Sequence, residues 1–500
     1  MTLIDRFLSS KYSIAFVLIF YFLTCYSVFL IFDIDPQTAD YWIWSRHIDW
    51  GYLEHPPLLA VSMRFISFFF SDVLVGLKFG SILFSSLIIL FAYIAAYLFF
   101  DRKAAIIFVL ILVTLPYFSI GSIIWSPDKL FLLNWIISWI FIAKFIKDKN
   151  INWILLFCGF VGLGLLSKYA MVQMILVVTI WCAANPEVRR SLLKWQSGVG
   201  VLIILIIVFP NIYWNYQNEW ISFKFNLNQY FPVSSINRQF PYFFLLQFIV
   251  YSIAFTLYFW WQLASRHLTR DEIADNSDSS TLIWSFLILS GFIPLVFSIA
   301  ANLFGHKINL DLLNVSYLSF FLLLARFISL EINHGLISRQ IAVFSFSVAS
   351  TISLIFVAGL LLQSLYTPII LSESISLNHY RGWEETADQI EEICEQNNVS
   401  APEFVITNEH KLSSVLGLYM HNHPKPHSLI NEIRNKWSLV SDVKEGKSIL
   451  VCELKECGEI LQVASDRFDA PFKYLGEAQT RFSGKVLRKL KVFVLTPGYI

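Results

Sequence analysis

Near its N-terminus the chain crowds ionisable and aromatic side chains into one short stretch. It reads Asp33-Ile34-Asp35-Pro36-Gln37-Thr38-Ala39-Asp40-Tyr41-Trp42-Ile43-Trp44-Ser45-Arg46-His47, then Asp49-Trp50-Gly51-Tyr52-Leu53-Glu54-His55-Pro56-Pro57-Leu58. Asp35, Asp40, Glu54 and His55 border apolar runs, where an acid is costly unless solvated or used. Such groups supply a general base or hold a polar ligand. The competing reading is an aromatic belt that only anchors the chain at an interface. A second candidate is Trp125-Ser126-Pro127-Asp128-Lys129, in which Asp128 either caps a helix or acts as a functional acid. Lys168, beside Tyr169, interrupts an apolar stretch. It answers an anion or snorkels to headgroups. The run from Pro210 to Phe225 holds Trp214, Asn215 and Lys224 among aromatics and amides. That mixture suits the apolar face and hydroxyl edges of a sugar, and equally any interface helix. His306-Lys307 completes the set.

The elements that must carry these residues are hydrophobic. Of 500 residues, 56% are hydrophobic and 15% charged, and mean hydropathy is +0.60. A soluble chain would carry roughly a quarter charged residues. The net charge of +1 gives no global field for a nucleic-acid partner. With about 20 residues per span, eleven candidate helices lie near 12–32, 74–100, 104–121, 129–146, 151–167, 169–184, 197–214, 241–262, 282–303, 309–330 and 340–366. The first is too long for a signal-peptide core and reads as an uncleaved span.

Basic residues fall in alternate connections: Arg6 and Lys11, Arg102-Lys103, Lys144 to Lys149, Arg189 to Lys194, Arg266/Arg270 and Arg326/Arg339. The positive-inside rule then predicts a cytoplasmic N-terminus, and an odd span count sends the tail outside. All five candidate places share the outer side in this topology. Within the outer loop 33–73, residues 37–49 and the stretch opened by Pro56-Pro57 have the spacing of two helices lying at the interface.

After about residue 368 the character changes. Strand-like runs at Phe404–Thr407, Ser448–Cys452 and Val486–Leu495 alternate with amphipathic stretches at Trp383–Gln396 and Glu409–Met420. Two domains follow, a membrane domain over 1–368 and a small α/β domain over 369–500. Cys394, Cys452 and Cys457 allow one internal pair there, and no zinc spacing is present.

Taken together, Tyr41-Trp42-Ile43-Trp44-Ser45, Trp50-Gly51-Tyr52 and His55-Pro56-Pro57-Leu58 resemble the first outer loop of a known group. It is the bacterial branch of the aminoarabinose-transferase and protein O-mannosyltransferase superfamily, GT-C glycosyltransferases that use polyprenyl-phosphate sugars. Ser126-Pro127-Asp128, Gly162 to Tyr169, Trp214-Asn215 with Trp220 to Phe223, Gly382-Trp383 and Thr407 to Tyr419 resemble later blocks of the same group. The resemblance implies a polytopic α-helical GT-C fold of about 11–13 spans with a small extracytoplasmic α/β domain. It implies inverting transfer from an undecaprenyl-phosphate sugar to an envelope acceptor, foremost lipid A or lipopolysaccharide, at the periplasmic face of the bacterial inner membrane. The partners are the lipid-linked donor, a lipid or glycan acceptor and membrane lipid. A flippase, or a non-catalytic binder of lipid-linked sugars, is the alternative. No divalent cation is required, because the leaving group carries one phosphate.

On this resemblance Asp128, Asp40 and Asp35 are the catalytic candidates. Tyr52, Glu54, His55, Lys168, Tyr169, Trp214, Asn215, Lys224 and Lys307 are the substrate-binding ones. One departure stands out. Where the group carries Asp-Glu just before the Ala-x-Tyr-Trp run, this chain has Gln37 and Thr38. The first-loop acid must then be Asp35 or Asp40, and Asp40 can share a helix face with Gln37.

Overall fold

The computed structural model describes residues 3–230, 240–243, 247, 251–264, 278–304, 313–334, 336–366, 380–399, 401–430, 439–454, 456–482 and 485–496. The chain divides into two compact units. The first comprises Met1–Tyr26, Asp49–Leu59 and Phe79–Ala358, and the second Ser27–Ile48, Ala60–Lys78 and Gly359–Ile500.

The first unit is helical. Among the described residues, Val73–Phe99, Pro127–Asp148, Trp195–Gln217, Ser279–Phe304, Asn314–Ile332 and Arg339–Gly359 are long and apolar enough to cross a membrane. Counting two bent pairs as spans raises six to eight. The bent pairs account for two of the five other expected spans, 104–121 and 169–184, and the span expected at 241–262 lies partly outside the described residues. Arg102–Thr114 and Pro116–Ile123 meet at 76°, and Tyr169–Ala184 and Pro186–Leu192 at 116°. Each break falls before a proline, which removes a helical donor and forces its predecessor into extended backbone. Leu115 (ψ 138°) and Asn185 (ψ 107°) both show it. The expected spans at 12–32 and 151–167 are shorter helices, Ser13–Phe29 and Asn152–Leu165. Burial sorts the bundle. The apolar window of Pro127–Asp148 is 89% buried and that of Trp195–Gln217 only 22%. Leu202, Leu205, Ile206 and Phe209 of the latter are exposed, as side chains meeting lipid tails would be. The chain is a multi-pass membrane protein.

Two local devices place the elements that matter. Asp101 caps Arg102–Thr114 through the Ala104 N–H at 2.9 Å and pairs with Arg326 at 2.6 Å, tying two helices together. Gly200 lets Trp195–Gln217 press against Asn152–Leu165. A Cβ there would sit 2.7 Å from Cys158 Sγ, the close approach that small residues permit between membrane helices.

The second unit holds a five-stranded sheet, β1 (Phe404–Thr407), β2 (Lys425–Ser428), β3 (Ser448–Glu453), β4 (Phe472–Phe482) and β5 (Lys485–Leu495), in the order β2-β1-β3-β5-β4. β1 is parallel to β2 and β3, and β5 is antiparallel to β3 and β4. Alternation along the strands sends Phe404, Ile406, Leu450 and Cys452 to one face, with Ile460, Ala464 and Phe468 of helix Cys457–Phe468. Val405, Ile449 and Val451 go to the other, with Ala387, Ile390 and Leu416 of helices Trp383–Gln396 and His410–Tyr419. Cys452 and Cys457 form a disulfide, and Cys394 is a buried free thiol.

The first-loop helix Pro36–Arg46 also belongs to this unit, and every residue from Thr38 to Ser45 is buried. A helix lying at an interface would leave one face open. Here the aromatics are core, with Trp42 edge-on to His423 at 5.2 Å. Helix Leu58–Ser67 does present an apolar outer side, where Val61 and Phe65 are exposed.

Candidate active site in the first unit

Four sequence blocks more than 150 residues apart in the extreme meet in the first unit. Pro127 begins helix Pro127–Asp148, as proline's fixed φ favours, and puts Asp128 in its first turn. The cap position belongs to Ser126, whose side chain makes no cap bond, and Asp128 reaches another element. Its Oδ1 accepts from Lys168 Nζ at 2.7 Å, and both side chains are about nine-tenths buried. Ser167 Oγ donates to the Pro127 carbonyl at 2.7 Å, fixing the turn that carries Lys168 against the start of Asp128's helix.

Lys129 points away from this pair. Its ammonium donates to the Ser81 carbonyl at 3.1 Å, Ser81 Oγ at 2.5 Å and the Ser122 carbonyl at 2.7 Å. Two adjacent ionised residues thus serve two jobs, one lysine bracing helices and Asp128 facing Lys168.

Tyr169 is the hub of a polar network. Its hydroxyl contacts Asn211 Oδ1 at 3.2 Å and Ser222 Oγ at 3.1 Å, and accepts from Asn215 Nδ2 at 3.2 Å. Its ring stacks on Phe223 at 4.6 Å. Asn215 Oδ1 is buried with no hydrogen-bond partner among the described residues, an acceptor whose desolvation they do not offset. Asn211 and Ser222 were not singled out from sequence as site residues. Their signal was the four-residue step Asn211–Asn215, which sets two amides on one helix face.

The first-loop segment 49–59 is clamped to these helices. Asn211 Nδ2 donates to the Trp50 carbonyl at 2.7 Å, Asn226 Nδ2 to the Glu54 carbonyl at 2.9 Å, and the Leu58 amide to the Leu166 carbonyl at 2.9 Å. The Tyr52 amide donates to the His55 carbonyl at 3.1 Å, closing a turn, and the Tyr52 hydroxyl accepts from the Asp49 amide at 3.1 Å. Gly51 is required by contact. A Cβ would lie 2.4 Å from the Trp214 ring.

The arrangement gathers Asp128, Lys168, Tyr169, Trp214 and Asn215 with the loop bearing Tyr52, Glu54 and His55. It can hold an anion at a buried amine, offer a carboxylate beside it, and present amide and hydroxyl groups to a polyol. Lys224 is exposed, half a turn from the face of its helix that carries Ser222 and Asn226. Lys307 lies outside the described residues.

Asp35 and Asp40 belong to the second unit. Asp35 caps helix Pro36–Arg46, its Oδ1 accepting from the Gln37 amide at 2.9 Å and the Thr38 amide at 3.1 Å. Its Oδ2 takes the Thr38 hydroxyl. Burial raises its carboxyl above the ordinary value, against these donors, which lower it. Asp40 Oδ1 accepts from Ser414 Oγ at 3.1 Å, and His410 Nε2 lies 3.8 Å from its Oδ2. Among the described residues, one group could hold a metal ion: Asp388, Glu391 and His421 in the second unit, with ligand atoms within 4.8 Å of one another.

Residues 54–214 match the dolichyl-phosphate-mannose-protein mannosyltransferase family. That stretch covers Glu54, His55, Asp128, Lys168, Tyr169 and Trp214. Over 200 residues, 37% of this chain, the sequence is 24% identical to lipid A galacturonosyltransferase RgtD of Rhizobium johnstonii, and the match spans 39% of that relative. The fold matches ArnT of Cupriavidus metallidurans, solved bound to undecaprenyl phosphate, with a TM-score of 0.63 at 14% identity, covering 97% of this chain and 98% of the other. It also matches the oligosaccharyltransferase AglB of Archaeoglobus fulgidus, solved with an inhibitory peptide and dolichol-phosphate, with a TM-score of 0.53 at 11% identity, over 98% of this chain and 74% of that one. The chain therefore has the fold of these membrane glycosyltransferases, and its residues 54–214, which carry the paired acid and amine, match the mannosyltransferase family.

Proposed function

We propose that this chain transfers a sugar from an undecaprenyl-phosphate carrier to lipid A or a related envelope glycan, with inversion, at the periplasmic face of the bacterial inner membrane. The observation that carries the reading is the buried Asp128–Lys168 pair at 2.7 Å, beside the Tyr169–Asn215 network. Lys168 takes the carrier phosphate and stabilises the charge that grows as it leaves. Tyr169, Asn215 and Trp214 face the sugar, and Tyr52, Glu54 and His55 complete the wall on the loop side. A carboxylate accepts the acceptor's hydroxyl proton while its oxygen attacks the anomeric carbon. Asp128 lies in the first unit for this role, and Asp40 is the first-loop acid. The leaving group's single phosphate needs no metal. The lipid A relative and the undecaprenyl phosphate bound by ArnT support the donor and acceptor classes.

Purified protein given a synthetic undecaprenyl-phosphate pentose or hexose and lipid A should yield glycosylated lipid A and free undecaprenyl phosphate. Lys168→Ala should weaken donor binding by about 1.5–3 kcal/mol, the range for hydrogen bonds to charged groups. Unchanged donor affinity in a folded Lys168→Ala protein would leave Lys168 as the counter-ion of Asp128 alone.

The orientation rests on the alternation of basic connections. A reporter active only in the periplasm, fused after Ile500, should be active. Activity of a cytoplasm-only reporter at the same position would place the sheet unit on the wrong side of the membrane for this reading.

A further inference from the structure

The second unit holds a buried cation with one edge unpaired by any hydrogen bond among the described residues. Arg381 is 4% exposed, and its guanidinium is sandwiched between two rings, its Cζ 4.8 Å from the Phe32 centroid and 4.5 Å from that of Phe482. Nε and Nη2 are buried and make no hydrogen bond. These two nitrogens form one edge of the guanidinium, and their N–H bonds point the same way, the fork that engages two oxygens of one oxyanion.

The neighbouring acid, Asp33, acts on the guanidinium through its charge but makes no hydrogen bond to this edge. Asp33 Oδ2 accepts from the Trp383 amide at 2.9 Å, while the Asp33 amide donates to the Tyr380 carbonyl at 2.9 Å. A second guanidinium adds to the positive field: Arg488 lies 3.5 Å over the Trp383 ring and donates to Thr386 Oγ1 at 3.2 Å. The sandwich satisfies the faces of the Arg381 plane but not its edge. Cation–π contact offsets part of the cost of burying the guanidinium, but the donors on its open edge stay desolvated and unpaired. An apolar side chain between Phe32 and Phe482 would fill the slot without that cost. Arginine there makes sense when an anion completes it.

We propose that Arg381 is the anchor of an oxyanion site in the second unit, which takes a phosphate group edge-on through Nε and Nη2, with the charge of Arg488 in support. This site uses none of the residues assigned to sugar transfer and does not depend on the transferase reading. The phosphate could be free in solution or borne by a lipid, and the chemistry at the fork is the same.

The full-length protein in neutral detergent would be unfolded thermally with inorganic phosphate, with a short-chain phosphatidic acid, and with the diacylglycerol of equal chain length. Either phosphate probe should stabilise the wild type and the diacylglycerol should not. A response to inorganic phosphate assigns a soluble ligand, and a response to phosphatidic acid alone assigns a lipid headgroup. Arg381→Met should abolish the response. Arg381→Lys, which keeps the charge and loses the fork, should raise the half-effective concentration by about tenfold or more. Where Arg381→Met does not fold, Arg381→Lys decides. The proposal is overturned if neither phosphate probe stabilises the wild type, or if the lysine variant responds at wild-type concentrations.

Discussion

Asp128→Asn is expected to lower sugar transfer by about a hundred- to ten-thousand-fold, the usual cost of removing a general base. The same substitution carries a stability cost, because it leaves the Lys168 ammonium buried without its counter-charge. Breaking a buried pair from one side costs about 3–5 kcal/mol. The two effects separate in the double variant Asp128→Asn/Lys168→Met, which removes both charges. Thermal unfolding should recover most of the loss there, while transfer stays at the Asp128→Asn level or below. Donor binding in Asp128→Asn should persist, since the amine that meets the carrier phosphate remains. Transfer near the wild-type rate in folded Asp128→Asn would reduce this residue to the counter-ion of Lys168.

This pair was half legible in the sequence. Asp128 and Lys168 each broke an apolar run, and charges in such places ask for an explanation. Nothing in the spacing said that they explain each other, because 40 residues and a helical hairpin separate them. Lys129 looked the same as Lys168 from sequence and differs wholly in use, being satisfied by Ser81 and Ser122. Those partners are a serine hydroxyl and carbonyls, groups every helix end has, so they leave no pattern to read. The Tyr169 network was visible as composition only. Amides and aromatics around Trp214 marked a polar helix face, but which of them reach Tyr169 depends on Trp195–Gln217 lying close to Asn152–Leu165 at Gly200.

The fold was legible where periodicity is strong. β1, β3 and β5 carry the β-branched runs Phe404–Thr407, Ser448–Glu453 and Lys485–Leu495, close to their predicted bounds, and both amphipathic helices of the sheet unit formed where expected. β2 and β4 were not foreseen. β2 is Lys425-Pro426-His427-Ser428, a poor strand former accepted at an edge, where proline's missing donor costs no ladder bond. β4 alternates charged and small residues through a bulge between Tyr474 and Gly476, which breaks the two-residue period. The membrane helices were located well by hydropathy, six of the eleven expected spans being long unbroken helices among the described residues. A window average does not feel Pro116 or Pro186, where two apolar stretches bend by 76° and 116°. The first-loop helix misled in a different way. Its tryptophans and tyrosine fit an interfacial belt by type, and helix His410–Tyr419, more than 360 residues on, with His423 beyond it, makes them core.

The same long-range packing bears on which first-loop acid acts. Asp35→Asn is expected to leave transfer close to wild type, and Asp40→Asn to lower it by about a hundredfold or more. All the donors that hold Asp35 come from its own helix turn: the Gln37 and Thr38 amides on one oxygen, the Thr38 hydroxyl on the other. Asparagine caps a helix about as well as aspartate, whereas Asp35→Ala should cost about 1 kcal/mol in thermal unfolding. Asp40 is held otherwise. Ser414 donates to one oxygen and the His410 ring stands 3.8 Å from the other, both from a helix far along the chain. An acid oriented by a hydroxyl and an imidazole, rather than consumed by a cap, keeps the means to take a proton. It sits three residues after Gln37, within one turn of the place where the resemblance puts an acidic pair. Measuring Asp35→Asn, Asp35→Ala and Asp40→Asn in one transfer assay, with unfolding temperatures alongside, discriminates the roles. Loss of transfer in Asp35→Asn at unchanged stability, with Asp40→Asn active, would exchange them. Loss in neither would leave Asp128 as the acid of the reaction and Asp40 as a fastening of the first-loop helix to His410–Tyr419.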